Sequence, residues 1–513
     1  MKPFCYVLAI FIKIHYNFNI LTGIFLFKMY FERGYVMNLL NKLVGEINGL
    51  LWGYILIFAL LGLGIYFTFK TKFVQFRYIK EMFRLLGEGF GDSKDKEKKG
   101  ISSFQAFCIS TASRVGTGNI AGVAIAVSIG GAGSVFWMWV IALIGSASSF
   151  VESTLAQIYK VKDGDSFRGG PAYYMERALN KRWMGIIFSV LITICFGFIF
   201  NAVQSNTVSQ SFSAAFGFNE LYVGLGLAVL TAFVIFGGVN RIAKVSEIIV
   251  PIFAVAYILV AILVVLMNIT HLPSVFRQIF SGAFNIEAAG GGLLGAAIMQ
   301  GVKRGLFSNE AGMGSAPNAA ATAEVSHPVK QGLIQTLGVF TDTLVICTCT
   351  AFIILIKDNV TFNSILASNG VTNPTGVQLT QYSLESHLGI FGGYFIAICI
   401  LLFAFSSVVG NYYYGQSNIE FIYGENKVIL NIYRVLVVGM VIFGAVARVE
   451  LVWSLADLFM GLMAILNMIA IALLGKIAFA ALEDYRKQKQ NGIKEPIFKA
   501  SSIPEVKNTD HWN

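Results

Sequence analysis

Two glycine-containing segments, each inside an apolar stretch long enough to cross a membrane, decide the fold. The first reads Ser-Arg-Val-Gly-Thr-Gly-Asn at residues 113–119, and the second reads Arg-Gly-Leu-Phe-Ser-Asn-Glu-Ala-Gly-Met-Gly-Ser at residues 304–315. Backbone groups that face hydrocarbon must find hydrogen-bond partners, so an uninterrupted lipid-facing helix would not tolerate either segment. Each segment therefore predicts a helix that is broken within the membrane.

The composition predicts a membrane protein around these two segments. Of the 513 residues, 56% are hydrophobic and 13% are charged, whereas soluble domains carry about 25% charged residues. Apolar stretches of helical length recur along the chain, which predicts an all-α integral membrane protein with 11 spans. The predicted spans are centred on 52–69, 104–128, 132–158, 184–214, 220–237, 245–268, 289–315, 332–356, 389–413, 430–447 and 452–475.

Lysine and arginine residues are concentrated in alternate loops, which predicts the orientation of the chain. The loop after the first span and the C-terminal tail are strongly basic, and they lie on the same side of the predicted membrane. Cytoplasmic loops are enriched in these residues. We therefore predict a multi-pass protein of the plasma (inner) membrane of a prokaryote, with a cytoplasmic C-terminus and an extracytoplasmic mature N-terminus. The net charge of +10 then reflects orientation and does not indicate a nucleic-acid partner.

The span pattern divides the chain into five regions. Residues 1–36 are an atypical extension, for which one hypothesis is translation from Met37 and the alternative is a twelfth, weak span. The polar residues after Glu483 are expected to be disordered. The remaining regions are an amphipathic segment with the extra span and a basic loop, a first repeat, a second repeat and a cytoplasmic tail, at 37–103, 104–268, 289–475 and 476–513.

Each glycine-containing segment opens a block of five spans. Because five is odd, the second block enters the membrane from the opposite side, which predicts inverted repeats. Paired interruptions in such repeats indicate the binding site of a transporter, because unwound backbone offers N–H groups to a carboxylate and C=O groups to a cation. The alternative is that these glycines only allow close packing of helices. Two equivalent clusters favour a discontinuous-helix site for an amino acid and a cation.

Five strings of residues resemble the alanine or glycine:cation symporter family, also called sodium:alanine symporters, of the amino acid–polyamine–organocation superfamily. The resemblance covers about 40–475 and rests on Gly116-Thr-Gly-Asn-Ile-Ala-Gly-Val-Ala124, Phe136-Trp-Met-Trp139, Arg168-Gly-Gly-Pro-Ala-Tyr-Tyr-Met175, Arg304-Gly-Leu-Phe-Ser-Asn-Glu-Ala-Gly-Met-Gly-Ser-Ala-Pro317 and Phe403-Ala-Phe-Ser-Ser407. It implies a leucine-transporter-type fold, with two inverted five-helix repeats and one extra N-terminal span. It also implies import of alanine or glycine with sodium, or less often protons, by alternating access.

The same resemblance implies which residues bind the substrate and the ion. The substrate positions are Thr117, Gly118, Asn119, Gln204, Phe307, Ser308 and Gly312, and the sodium positions are Ser406, Ser407 and Gly116. The carbonyl of Gln204 could accept a hydrogen bond from a substrate ammonium, although bonding between helices is the alternative. Serine hydroxyls are hard oxygen donors that suit a hard cation, but they also bond to carbonyls of their own helix.

Asn411 marks a departure from the family pattern, in which many members carry a tryptophan in the segment from Gly410 to Gly415. Asparagine is smaller and more polar than tryptophan. If this position lines the pocket, the protein could accept a larger or more polar amino acid than alanine, so we include it among the substrate-binding candidates.

Charged residues within the spans are few, and such residues usually face a cavity or pair with each other. Arg304 and Asp457 both fall in the outer halves of their spans, which suggests an extracellular gate pair, with structural pairing elsewhere equally open. Glu310 and Asp342 could instead carry a coupling proton, which is the main alternative to sodium.

Other function classes find little support in the sequence. The five histidines are scattered and form neither HExxH nor a GxSxG elbow, which argues against an enzyme. A channel would favour a symmetric pore of repeated subunits. The six cysteines form no CxxC pair, so we expect neither disulfides nor structural zinc. We expect no cofactor beyond sodium as the coupling ion, and a monomer whose partners are a small amino acid, sodium and the lipid bilayer.

Overall fold

The computed structural model describes most of the chain. The described residues are 35–93, 100–164, 166–284, 293–357 and 359–512. The N-terminal extension up to residue 34 lies outside them, so the hypotheses of a start at Met37 and of a twelfth span stay predictions.

The described residues are almost entirely helical, as the composition predicts. In the first half of the chain the helices are Tyr35–Leu50, Leu56–Lys70, Val74–Arg77, Ile79–Ser93, Ser103–Arg114, Val123–Gly130, Gly133–Ile158, Pro171–Arg177, Arg182–Ile192, Asn201–Phe216, Glu220–Ile235, Val239–Met267 and Leu272–Phe284. In the second half they are Leu293–Asn309, Ala316–Ala320, Pro328–Val339, Thr348–Ile356, Asn359–Ser368, Gly376–Leu388, Ile390–Tyr423, Lys427–Val446 and Val449–Gln490. Wider π-helical turns occupy Leu51–Ile55, Gly118–Gly122, Thr193–Phe200 and Phe340–Cys347, and short 3₁₀ turns occupy Ile269–His271 and Ala500–Ser502.

Within the described residues, eight helices are long and apolar enough to cross a membrane, and one bent pair makes a ninth. A helix is present at each of the eleven predicted positions. The predicted spans 220–237 and 289–315 correspond to shorter helices, Glu220–Ile235 and Leu293–Asn309. The protein is therefore a multi-pass helical membrane protein, and the count of eleven spans stays a prediction.

Both predicted interruptions are present as breaks in helices. The first broken helix consists of Ser103–Arg114 and Gly118–Gly130, which meet at an angle of 49°. The second broken helix consists of Leu293–Asn309 and Ala316–Ala320. We call residues 115–117 the first break and residues 310–315 the second break.

One small sheet was not expected from the sequence. Strands Val161–Asp163 and Ser166–Arg168 pair antiparallel, with Val161 opposite Arg168. They follow directly after the Gly133–Ile158 helix and lie on its predicted cytoplasmic side. The sheet is too short to give a strong alternating pattern, because strands of three residues present only one or two side chains to each face.

The C-terminal tail is ordered, contrary to the expectation of disorder after Glu483. Trp512 is buried and its indole nitrogen donates to the Gln157 carbonyl at 2.9 Å. The amide of Phe498 donates to the Ser326 carbonyl at 2.9 Å, and Asp510 pairs with Arg177 at 2.7 Å. Composition alone missed this docking because the few apolar residues of the tail are spread along it without a periodic pattern.

The docked tail covers a lysine at the end of the Gly133–Ile158 helix. Lys160 donates to the Ala323 carbonyl at 2.8 Å, and its ammonium lies 4.0 Å from the ring centre of Phe167 and 5.0 Å from that of Trp512. Burial lowers the pKa of Lys160 to about 7. The tail therefore joins the first strand region to the loop that follows the second broken helix.

Candidate functional site

The first break is held by side-chain oxygens of neutral amides. The helix before it starts with a capping box, in which Ser102 and Gln105 bond each other's backbone N–H groups. At the break, the Gly116 N–H donates to Asn119 Oδ1 at 2.9 Å, and the Thr117 N–H donates to Gln204 Oε1 at 3.1 Å. These two amides satisfy backbone donors that the interrupted helix leaves without a carbonyl partner.

Gly116 is required at the first break by the closeness of its neighbours. A Cβ atom at this position would collide with Ser407 Oγ and would lie 2.9 Å from Gln204 Oε1. The Asn201–Phe216 and Ile390–Tyr423 helices therefore both approach the break at this residue. Gln204, a predicted substrate position, and Ser407, a predicted sodium position, therefore both lie beside Gly116.

The second break is held by a carboxylate. Glu310, Gly312 and Gly314 have positive φ values of 58°, 84° and 88°, which turn the chain out of the helix. Glu152 of the Gly133–Ile158 helix accepts from the Gly312 N–H at 3.0 Å and from the Gly314 N–H at 3.1 Å. Asn467 completes this contact by donating to Glu152 at 2.7 Å and to the Gly312 carbonyl at 2.9 Å.

Asp342 joins the two broken helices. Its Oδ1 accepts from the Asn119 side-chain amide at 2.7 Å, and its Oδ2 accepts from the Ser308 hydroxyl at 2.7 Å. Thr343 donates to the same Oδ2 at 2.8 Å. All four residues are buried. The predicted substrate positions Asn119 and Ser308 thus lie together around one carboxylate.

The two predicted sodium serines differ in what they face. The Ser407 hydroxyl lies 3.3 Å from the Val115 carbonyl in the first break and 2.8 Å from the Ala112 carbonyl in the last turn of the helix before it. It also lies 2.9 Å from the Phe403 carbonyl of its own helix. The Ser406 hydroxyl bonds the Phe403 carbonyl at 2.8 Å. Ser407 is therefore brought together with backbone oxygens of the first break, whereas the bond of Ser406 is internal to its helix.

The predicted gate residues Arg304 and Asp457 form an ion pair. Lys303 also contacts Asp457, at 3.1 Å, and the guanidinium of Arg304 lies 4.9 Å from the ring centre of Trp453. A cavity of about 410 Å³ on the predicted extracellular side is lined by these residues. Below it, Phe307 packs between Phe200 and Trp453, with ring centres 4.6 Å and 4.8 Å away. The ion pair and the aromatic stack thus lie between this cavity and the first break.

Asn411 lies on the predicted cytoplasmic side of the first break, away from the ion pair. Its side chain contacts the Ser113 hydroxyl at 2.7 Å and donates to Asn201 Oδ1 at 3.1 Å. Ser113 also donates to Glu310 at 2.6 Å, which links this amide to the second break. Gly118 packs against Phe307, while Gly312 contacts Glu152 and Asn467 rather than the first break.

Comparison with known proteins identifies the family. The sodium:alanine symporter family matches residues 37–500. The chain belongs to the sodium:alanine symporter family. The chain is 58% identical to the probable sodium/glutamine symporter GlnT of Bacillus subtilis, over 93% of this chain and 97% of that protein.

Two further relatives cover nearly the same length. The chain is 54% identical to the amino-acid carrier protein AlsT of Bacillus subtilis, over 92% of this chain and 97% of that protein. It is 39% identical to the sodium/alanine symporter AgcS of Methanococcus maripaludis, over 88% of this chain and 99% of that protein. These relatives confirm the resemblance and place the chain among amino-acid symporters, which are membrane transport proteins.

Several site residues of this family member were not assigned a role from the sequence. Glu152 was visible only as a rare intramembrane charge, and its bonds to Gly312 and Gly314 span 160 and 162 positions of the chain. Lys303 and Asn201 carried no separate signal. Lys303 precedes the conspicuous Arg304, and Asn201 lies in an apolar run where a single amide is more often a helix-packing residue.

Proposed function

We propose that this protein is a secondary active transporter that imports alanine, glycine or both with sodium by alternating access. The observation that carries the proposal is that Asp342 bonds Asn119 beside the first break and Ser308 beside the second. In transporters with inverted repeats, substrate and ion bind at paired helix breaks near the middle of the membrane. The leucine-transporter-type arrangement of two inverted repeats, the cytoplasmic C-terminus and the plasma-membrane location belong to the same proposal.

The substrate is expected to bind at the first break. Its carboxylate would replace the amide oxygens of Asn119 and Gln204 on the N–H groups of Gly116 and Thr117, because a charged acceptor makes a stronger hydrogen bond. The freed carbonyl of Gln204 could then accept from the substrate ammonium. Both exchanges occur without leaving a buried donor unpaired.

Sodium is expected to bind beside Ser407. The hydroxyl of Ser407 already lies within 3.3 Å of the Ala112 and Val115 carbonyls. Rotation of the hydroxyl would turn a lone pair toward an ion held by these oxygens and by Gly116. Hard oxygen ligands of this kind suit a hard cation. Binding of ion and substrate on either side of Gly116 would couple the two, because each stabilises the same unwound backbone.

Uptake of radiolabelled alanine into proteoliposomes tests the proposal. We expect accumulation under an inward sodium gradient at constant pH, saturation with alanine, and no accumulation in potassium. A protonophore should leave sodium-driven uptake unchanged. Equal uptake in potassium with an imposed proton gradient would show that the proton, and not sodium, is the coupling ion. Glu310 and Asp342 would then be the carboxyl groups to test.

A larger amino acid is the second candidate substrate, on two observations. Asn411 presents a buried amide one helical turn from Ser407, and one relative is named as a probable sodium/glutamine symporter. Competition of unlabelled glycine, alanine, asparagine and glutamine against labelled alanine ranks these substrates in the same preparation.

A further inference from the structure

Two buried amides, Asn201 and Asn411, lie one helical turn from the first break on neighbouring helices. Asn201 precedes Gln204 by three residues, and Asn411 follows Ser407 by four. Residues at these spacings share one face of a helix and are separated by about 4.5–6 Å along its axis. Since Gln204 and Ser407 both contact Gly116, the two asparagines form the next layer toward the cytoplasm.

The two amides bond each other and leave hydrogen-bonding capacity unused. The Asn411 nitrogen donates to Asn201 Oδ1 at 3.1 Å, and the Asn201 nitrogen donates to the Gly197 carbonyl at 2.9 Å. An amide nitrogen has two N–H groups, so each of these two nitrogens retains one donor. Both side chains are fully buried. The free donors therefore point into the protein interior and not toward water.

In the same layer, the Ser113 hydroxyl lies between two side-chain oxygens. The Ser113 hydroxyl lies 2.6 Å from Glu310 Oε1 and 2.7 Å from Asn411 Oδ1. One hydroxyl can donate to only one of these acceptors. The layer thus has spare N–H donors at Asn201 and Asn411, and the Ser113 hydroxyl can donate to only one of its two neighbouring oxygens. A group that is both donor and acceptor would satisfy all of them.

We propose that Asn201 and Asn411 are specificity-determining residues that recognise a side-chain carboxamide, so that the preferred substrates are of the glutamine and asparagine class. This inference rests on the proposed function, because it places the amino and carboxyl groups of the substrate at the first break. Two methylene groups carry a carboxamide about one helical turn from the Cα atom, which is the separation between the two layers.

Other side chains fit this layer less well. A carboxylate offers acceptors only, so it would leave the acceptor beside Ser113 unpaired and bring a second acid close to Glu310. Alanine reaches none of the spare groups. The methylene groups of the substrate would lie along Phe200, whose ring packs on Phe307 at 4.6 Å and forms an apolar wall.

Competition and binding measurements on the full-length protein test this inference. Wild-type protein in proteoliposomes should show a lower inhibition constant for glutamine or asparagine than for alanine and glutamate. Asn411→Asp keeps the side-chain size and removes its N–H donors. Asn411→Asp and Asn201→Leu should each raise the glutamine-to-alanine ratio of inhibition constants at least about tenfold, the penalty of lost buried hydrogen bonds.

Asn206→Leu is the matched control. Asn206 is a buried amide on the same helix as Asn201, but it bonds the Gly444 and Ala447 carbonyls at 2.9 and 2.8 Å. Loss of the Asn206 amide should leave the glutamine-to-alanine ratio of inhibition constants unchanged, even if overall uptake falls. Thermal unfolding with and without each amino acid gives the same ratio from binding alone, which keeps the comparison possible for variants that transport poorly.

The outcomes separate this inference from the proposed function. Sodium-driven alanine uptake without competition by glutamine or asparagine would overturn the inference and leave the proposed function intact. A parallel fall for all amino acids in Asn411→Asp and Asn201→Leu would assign the two amides a structural role, which also overturns it. Glutamine binding without any sodium-dependent uptake would support the inference and contradict the proposed symport.

Discussion

The two broken helices differ in the type of side chain that holds them. At the first break the backbone N–H groups of Gly116 and Thr117 bond neutral amide oxygens of Asn119 and Gln204. At the second break the N–H groups of Gly312 and Gly314 bond the Glu152 carboxylate. A single carboxyl group thus accepts from both backbone donors of the second break, whereas two separate amides accept from those of the first.

The outer half of the second broken helix is held by ion pairs. Arg304 and Lys303 both contact Asp457 of the last helix, Val449–Gln490. The second broken helix is thus attached by carboxylates on two different helices. At the first break, the backbone N–H groups of Gly116 and Thr117 have amide partners that a substrate carboxylate could replace. We infer that the second helix is the anchored member of the pair and that the first presents the exchangeable donors.

Removal of the Glu152 carboxylate should have the largest effect. Glu152→Ala leaves the Gly312 and Gly314 N–H groups without their acceptor in the protein interior, at a cost of about 1–3 kcal/mol for each group. We expect transport to be lost and the thermal unfolding midpoint in detergent to fall by several degrees. Glu46→Ala, at an exposed glutamate, is the control. Wild-type stability in Glu152→Ala would contradict an anchored second break.

Neutralisation of Asp457 should be the next largest change. Asp457→Asn removes the charge that faces both Arg304 and Lys303, so the ion pair that lines the outer cavity weakens. We expect the rate of alanine uptake to fall about tenfold, with a smaller loss of stability than in Glu152→Ala. Glu450→Gln, an exposed acid that lines the same cavity, should change uptake little. Unchanged uptake in both Asp457→Asn and Arg304→Gln would remove the gate hypothesis.

At the first break, Gln204→Leu should affect substrate affinity more than stability. The variant removes the acceptor for the Thr117 N–H and the carbonyl proposed for the substrate ammonium. We expect the KM for alanine to rise about tenfold, equivalent to about 1.4 kcal/mol, and the unfolding midpoint to fall less than in Glu152→Ala, because a single backbone N–H loses its acceptor. Gln416→Leu, at a half-buried glutamine that bonds Glu420, provides the control. A large loss of stability with unchanged KM would contradict the inference that the first break presents exchangeable donors.

The two serines provide the smallest and most selective test. Ser407→Ala removes a hydroxyl that faces the first break, whereas Ser406→Ala removes one that bonds its own helix. We expect the sodium concentration for half-maximal uptake to rise about fivefold in Ser407→Ala, the loss of about 1 kcal/mol that one neutral ligand contributes. The sodium concentration for half-maximal uptake should change little in Ser406→Ala. Equal effects of the two variants would argue against sodium beside Ser407.

Much of the broad architecture could be predicted from local sequence. Apolar stretches of helical length mark each helix that the structure contains at the predicted span positions, because the thickness of the bilayer sets their length. The two breaks could be located from glycine and polar clusters, because unsatisfied backbone is not tolerated in hydrocarbon. Depth suggested a pair between Arg304 and Asp457, since both fall in the outer halves of their spans, but it left pairing elsewhere equally open; the structure shows the ion pair.

Other features depended on contacts between distant segments. The docked tail was missed because its apolar residues, such as Phe498 and Trp512, have no periodic pattern. They pack against each other, and Trp512 bonds the Gln157 carbonyl of a helix far away in the chain. The difference between Ser406 and Ser407 was also hidden, since neighbouring residues on a helix point about 100° apart and the sequence does not say which of them faces the first broken helix.

The sequence by itself determined that this chain crosses a membrane, where its helices break and to which family it belongs. Hydropathy, the glycine and polar clusters that interrupt a span, and the family motifs are all local properties of the sequence. Only the tertiary structure decided which side chain satisfies each break. Glu152 reaches Gly312 and Gln204 reaches Thr117 through the packing of helices that are far apart in the chain. The chemical type of those partners, an acid at one break and amides at the other, is a property of that packing.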